Sequence, residues 1–202
     1  LSSLYTISEK DMKNVCDILG SNTGPKLRVV GNPRYDLVMN EATEFRKNDV
    51  EKLKDRDMRI IIGSVHKEEE DFLIPTLVQL MNAYPELKIL YALHEPTDFA
   101  LKDIKKKFQD HGIVGTVFRK KTDLKLPTNP LVILGVVGVL SRLYWQGQIA
   151  YVGGGYSAGV HNVMEPAVAR LPVIFGPRYH NSHEAEELIN NNGGFCVKNE
   201  QE

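Results

Sequence analysis

The chain has 202 residues, 42% of them hydrophobic and 25% charged, with a formal net charge of -1. That length allows one well-buried core or at most two small ones. The near-neutral balance excludes nucleic-acid binding as the main function, because no overall field gathers a polyanion. Two basic runs, Lys105-Lys106-Lys107 and Arg119-Lys120-Lys121, read as a solvated helix face and a solvated loop, with a patch facing an anionic surface as the other reading. Cys16 and Cys196 lie far apart and outside any CxxC or Cys/His ligand spacing, which fits a reducing, cytosolic compartment rather than a disulfide framework. The longest apolar run, residues 131–140, is about half the ~20 residues a membrane-spanning helix needs, and Gly135 and Gly138 interrupt it. No signal-peptide pattern is visible. The chain opens on Leu1 and enters a strand at once, so we expect a piece of a longer protein.

Strand-like and helix-like segments alternate. Residues 4–7 read as a short strand, and Ser8 caps a helix with Asp11 three residues on, a capping box with Asp in place of Glu; Gly20 ends that helix. Residues 27–31 form a strand that runs into a turn at Asn32-Pro33, and 36–54 is polar and helical in pieces. From residue 58 the order is repeated βα: strands at 58–63, 87–93, 114–118, 131–134, 149–152, 172–175 and 195–198. Helices are expected at 68–84, 97–110, 138–144, 160–169 and 182–190. This order implies an α/β fold, a Rossmann-like parallel sheet with helices on both faces. Ligands of such sheets sit outside the carboxyl ends of the strands, so the residues after each strand carry the functional reading.

After the 58–63 strand, Ser64 reads as the cap of the next helix, with His66 beside it. His94 lies at the mouth of the sheet after the 87–93 strand. The most informative stretch is Gly153-Gly154-Gly155-Tyr156-Ser157-Ala158-Gly159-Val160-His161-Asn162-Val163-Met164-Glu165-Pro166. Its glycines let backbone approach a ligand closely, and a helix opening near Gly159 would turn its free N–H groups to a phosphate. The spacing is not the GxGxxG dinucleotide fingerprint. Glu165, one turn beyond His161 on that helix, can accept two hydrogen bonds from a ribose diol. As metal ligands His161 and Glu165 lack a third partner at suitable spacing. Arg178, after the 172–175 strand, reaches toward an anion at the same edge, while His180 and His183 alone make no ligand set. Each of these also has a plain reading: a capping serine, loop histidines, a surface i,i+4 pair, a surface arginine.

The block from Gly153 to Pro166, followed by Leu171-Pro172-Val173-Ile174-Phe175-Gly176-Pro177, resembles the donor domain of the 3-deoxy-D-manno-octulosonic acid (Kdo) transferases of lipopolysaccharide synthesis. Gly31-Asn32-Pro33-Arg34-Tyr35-Asp36 resembles the segment joining the two halves of those enzymes. Gly63-Ser64 with His66 and the run of Glu that follows resembles their first donor loop, and Gly138-Val139-Leu140-Ser141-Arg142-Leu143-Tyr144 their short helix before the Gly-rich strand. The resemblance implies one half of a GT-B glycosyltransferase, with residues 1–36 as linker and 37–202 as the donor-binding domain. It implies inverting, metal-independent transfer of Kdo from CMP-Kdo to a lipid A precursor, without cofactor or nucleic acid. Ser64, Asn162 and Glu165 would contact CMP, Gly154, Gly155 and Gly159 would shape the turn, His66, His94 and Arg178 would lie near the phosphate or the Kdo carboxylate, and His161 would belong to the same donor site. The general base, the lipid acceptor and the association with the cytoplasmic face of the inner membrane would belong to a half outside this chain, leaving the chain itself soluble and inactive in transfer. Where many members carry a Pro-Arg-His loop this sequence has Leu93-His94-Glu95-Pro96, so no arginine role carries over there. A UDP-sugar-using GT-B enzyme or epimerase-like domain, and a non-enzymatic α/β ligand-binding domain, remain the alternatives.

Overall fold

The computed structural model describes residues 2–20, 25–49, 56–199 and 201–202. They fall into two compact units, Leu1–Glu44 and Phe45–Glu202. In the first, strands β1 (Ser3–Thr6) and β2 (Lys26–Val29) pair in parallel and are joined through helix α1 (Glu9–Leu19). The Ser8 hydroxyl accepts the Asp11 N–H at 3.1 Å, and the Asp11 carboxylate accepts the Ser8 N–H at 3.1 Å, so the reciprocal box forms with Asp in the acidic role. Ser8→Ala is expected to weaken α1 by about 1 kcal/mol, read as faster amide exchange over residues 9–19.

Helix α2 (Pro33–Asp49) corrects the sequence reading of a turn followed by broken helix. Pro33 takes the first helical position, where its missing N–H is not needed and its φ is already helical. The Asn32 side chain accepts the Arg34 N–H at 3.0 Å. No Gly or Pro interrupts residues 34–49, and polarity alone does not break a helix. Residues 50–54 of the expected segment lie outside the described residues.

The second unit is built on seven parallel strands: β3 (Arg59–Val65), β4 (Lys88–Leu93), β5 (Gly115–Phe118), β6 (Leu131–Leu134), β7 (Ile149–Val152), β8 (Val173–Phe175) and β9 (Gly194–Cys196). Their order is β5-β6-β4-β3-β7-β8-β9. Helices α3 (Lys67–Ala83), α4 (Asp98–Asp110), α5 (Leu140–Leu143, continued by a 3-10 turn over Tyr144–Gln146), α6 (Met164–Val168) and α7 (His183–Asn190) connect them. Successive strand residues point to opposite faces. Ile61 and Ile62, and likewise Ile89 and Leu90, are all fully buried, so the central strands are covered on both sides. Leu73, Ile74 and Leu77 of α3 and Leu101, Ile104 and Phe108 of α4 close one cluster with Ile62, Ile89 and Leu131. A second cluster joins Val152, Val173 and Phe175 to Val160, Val163 and Ala185.

The basic runs are largely neutralised locally: Lys107 binds Glu70 at 2.6 Å and Asp103 at 3.3 Å, Arg119 binds Asp98, and Lys120 binds Asp123. Among the described residues no helix is long and apolar enough to cross a membrane.

From β3 the chain winds outward through β4 to β6 and β5, then returns to lay β7 against the other side of β3. That reversal opens a crevice at the carboxyl ends of β3 and β7, the place where a doubly wound sheet takes its ligand. Gly63 pairs with Val152 in register, so the segments after both strands leave the sheet side by side.

Candidate functional site

At the end of β3 the register slips between Ile62 and Val65, and Ser64 adopts a left-handed φ of 56°. Ser64 therefore lies inside the strand bulge and does not cap the helix. His66 precedes Lys67 at the start of α3, and its N–H is accepted by the Glu69 carboxylate at 3.0 Å. Glu69 is fully buried. It also accepts the Gly154 N–H, at 3.1 and 3.0 Å to its two oxygens, and the Tyr151 hydroxyl at 2.9 Å. Burial, then the charge of Glu69, hold the Tyr151 phenol far above its ordinary pKa and so keep it a donor. One carboxylate thus ties the β3 loop, strand β7 and the Gly-rich turn together. The sequence reading passed over Glu69 within its acidic run; its position three residues after His66 is the capping-box spacing that marks it.

The Gly-rich turn does not lead into a long helix. Gly154 has φ 92° with its N–H on Glu69, and a Cβ on Gly155 would lie 2.5 Å from the Gly176 nitrogen. The N–H of Gly153 goes to Gly63, those of Ser157 and Gly159 to Gly154, that of Val160 to Arg178 and that of His161 to Gly153. Helix α6 begins only at Met164, is 5 residues long, and its first N–H is accepted by the Asn162 side chain at 3.1 Å. The expected helix over 160–169, with amides free for a phosphate near Gly159, is therefore corrected. The N–H groups of Ser157, Gly159, Val160 and His161 close the turn, and polar side chains stand beside it.

Those side chains are Asn162, Glu165, Arg178 and three histidines. The Asn162 amide donates to Glu165 at 2.9 Å, fixing the half-buried carboxylate at the start of α6. Tyr144 senses that carboxylate: its phenol is raised first by burial and then by the Glu165 charge. Arg178 is exposed and stitched to the turn, its guanidinium donating to the Ser157 carbonyl at 2.6 Å and its N–H to Gly155 at 2.8 Å. The expected His161–Glu165 pair on one helix face does not form, because His161 precedes the helix. It meets His66 instead, Nε2 to Nε2 at 2.6 Å. His94 stacks on both rings, with centroids 4.5 Å from each. Burial, and then His94 and His66, push the His161 imidazole below its ordinary pKa and favour its neutral form. Sequence spacing offered no third ligand beside His161; the fold brings two, from the ends of β3 and β4.

A cleft of about 500 Å³ opens beside His66 and His94, lined also by Glu68, Glu70, Glu95 and Asp103. Lys67 lines it too, and Lys107 binds Glu70 and Asp103.

No family model matches the chain. It is 30% identical over 145 residues to the 3-deoxy-D-manno-octulosonic acid transferase of Aquifex aeolicus, covering 71% of this chain and 39% of that protein. It is 32% identical over 171 residues to the transferase of the same name from Haemophilus influenzae, covering 81% and 38%. The chain thus spans well under half the length of these curated relatives. Among solved structures it superposes on the C-terminal CMP-Kdo binding domain of WaaA from Acinetobacter baumannii with a TM-score of 0.61, at 22% identity, covering 82% of this chain and 84% of that one. It also superposes on the UDP-GlcNAc 2-epimerase of Methanocaldococcus jannaschii, with a TM-score of 0.58 at 17% identity over 99% of this chain and 51% of that one. The fold is that of one half of a GT-B glycosyltransferase, and the chain is a homologue of the Kdo transferases.

Proposed function

We propose that this chain is the donor-binding half of a Kdo transferase, holding CMP-Kdo for transfer to a lipid A precursor in lipopolysaccharide synthesis at the cytoplasmic face of the inner membrane. The observation that carries the reading is the switch-point mouth, where Asn162, Glu165 and Arg178 gather on the Gly-rich turn of a Kdo-transferase homologue. In this reading Glu165, oriented by Asn162, accepts the ribose hydroxyls. Arg178 and His161 face the phosphate and stabilise the charge that develops on the departing CMP. Ser64 and the Gly154–Gly155 turn shape the nucleotide's seat. The phosphate lies at Arg178, whose guanidinium is fixed on the Gly-rich turn by the Ser157 carbonyl. The general base and the acceptor site we assign to residues outside this chain, across the cleft of the GT-B enzyme. Closure of that cleft excludes water and limits hydrolysis of the donor.

Calorimetric titration of CMP and UMP into the chain tests the reading. We expect CMP to bind more tightly than UMP, and Glu165→Ala to weaken CMP about tenfold, or ~1.4 kcal/mol. A folded chain that takes up no CMP at millimolar concentration, or an unchanged affinity in Glu165→Ala, would sink it. The fold match to the UDP-GlcNAc 2-epimerase along nearly the whole chain favours a UDP-sugar as the second reading; tighter binding of UMP selects it. Absence of any nucleotide preference selects a ligand-binding domain of another kind.

A further inference from the structure

We infer that His66, His94 and His161 form a binding site for a borderline divalent transition-metal ion of the Zn²⁺, Co²⁺ or Ni²⁺ class. This goes beyond recognition of the nucleotide-sugar and does not depend on it.

The three imidazoles come from separate segments: the β3–α3 junction, the end of β4 and the Gly-rich turn after β7. One ring nitrogen from each of the three lies within 4.8 Å of those of the other two. A tetrahedral zinc ion with Zn–N of ~2.0–2.1 Å sets neighbouring ligand nitrogens about 3.3 Å apart. The 2.6 Å approach of His66 to His161 and the 4.8 Å limit of the set bracket that separation. The His66 N–H is held by Glu69, that of His94 by the Val65 carbonyl at 2.9 Å and that of His161 by the Gly153 carbonyl at 3.1 Å.

Chemistry favours a cation over the alternatives. Two ring nitrogens at 2.6 Å hold at most one proton between them, and a metal ion takes the place of that proton with a lone pair from each ring. Neither ring nitrogen of His94 has a hydrogen-bond partner among the described residues. Of the acids lining the adjoining cleft, Glu70 and Asp103 share Lys107, and Glu68 and Glu95 stand beside Lys67, so the acidic excess that remains draws a divalent cation. Imidazole-only ligation suits Zn²⁺, Co²⁺ and Ni²⁺ rather than Mg²⁺ or Ca²⁺, which take oxygen. Three protein ligands leave a further coordination position open to the cleft.

The test uses the 202-residue chain stripped with chelator. Zinc is titrated by calorimetry, and cobalt is followed by visible absorption. The expected result is one ion per chain, with affinity falling about tenfold or more in His94→Ala and in His161→Ala, and kept in Glu165→Ala. Because His94 is exposed, its variant keeps the fold, which circular dichroism verifies. No stoichiometric zinc binding by the unaltered chain, or an equal affinity in His94→Ala, overturns the inference. Loss of CMP binding in a chain that still takes zinc would count against the donor reading alone.

Discussion

Glu69→Ala is expected to lower the unfolding free energy by about 3–5 kcal/mol, read as a fall in the urea midpoint. The residue has no exposed surface, and three donors converge on it: the His66 N–H, the Gly154 N–H and the Tyr151 hydroxyl. Truncation strands the buried Gly154 and Tyr151 donors and frees the part-buried His66 N–H, and each buried donor left without a partner costs about 1–3 kcal/mol. A cavity adds to the loss. Glu69→Gln should fall between, because it keeps the volume and one acceptor oxygen but turns an amide donor toward donors already present. The effect reaches the site as well. Glu69 sets the angle between the β3 loop and the Gly-rich turn, so nucleotide affinity should drop with stability. An unchanged midpoint in Glu69→Ala would show that the turn is held by the sheet itself and not by this carboxylate.

The repeated βα pattern from residue 58 onward was legible because parallel strands buried on both faces read as short apolar runs, and Ile60-Ile61-Ile62 or Leu131-Val132-Ile133-Leu134 have no other reading at that length. The Ser8 cap was legible too, since its hydroxyl accepts the N–H three residues on, whereas Ser64, read as a cap in the same way, lies in the strand bulge. The failures share one cause. Helix starts were read from local composition where the deciding bonds are made elsewhere. Pro33 looked like a stop and is a start, because the Asn32 side chain turns the chain into α2. Val160 looked like a start and is not, because its N–H goes to Arg178, eighteen residues on, and holds the turn open until Met164.

The candidate site shows the same division. Asn162, Glu165 and Arg178 could be picked out because they follow strand ends, and topology alone predicts where such residues gather. The histidine trio could not be assembled from spacing. His66, His94 and His161 are separated by whole βα units, and only the strand order, which sets β4 and β7 on either side of β3, brings them within reach of one another. Glu69 was hidden for the opposite reason. It stands between exposed Glu68 and Glu70, which is buried on Lys107, and only its bonds to Gly154 and Tyr151 set it apart.

Gly155→Ala is expected to cost about 2–3 kcal/mol of stability. A Cβ on Gly155 would lie 2.5 Å from the Gly176 nitrogen, 2.7 Å from its Cα and 2.9 Å from its carbonyl carbon. All three are backbone atoms, which cannot swing aside as a side-chain tip can. Relief requires the Gly-rich turn and the segment after β8 to move apart. That movement strains the bond from the Arg178 N–H to the Gly155 carbonyl at 2.8 Å, and with it the seat of the Arg178 guanidinium. The variant should therefore lose nucleotide affinity along with stability. Gly193→Ala provides the contrast, since a Cβ there meets the Leu188 side chain at 3.4 Å and its carbonyl oxygen at 3.8 Å, both ordinary contacts. Urea unfolding of both variants separates close backbone approach from the general cost of replacing glycine. A Gly155→Ala midpoint as little altered as that of Gly193→Ala would mean the two segments have room to part. The turn would then be a flexible cover, and Arg178 would owe its position at the mouth to its own contact with Ser157 rather than to the packing of glycine on glycine.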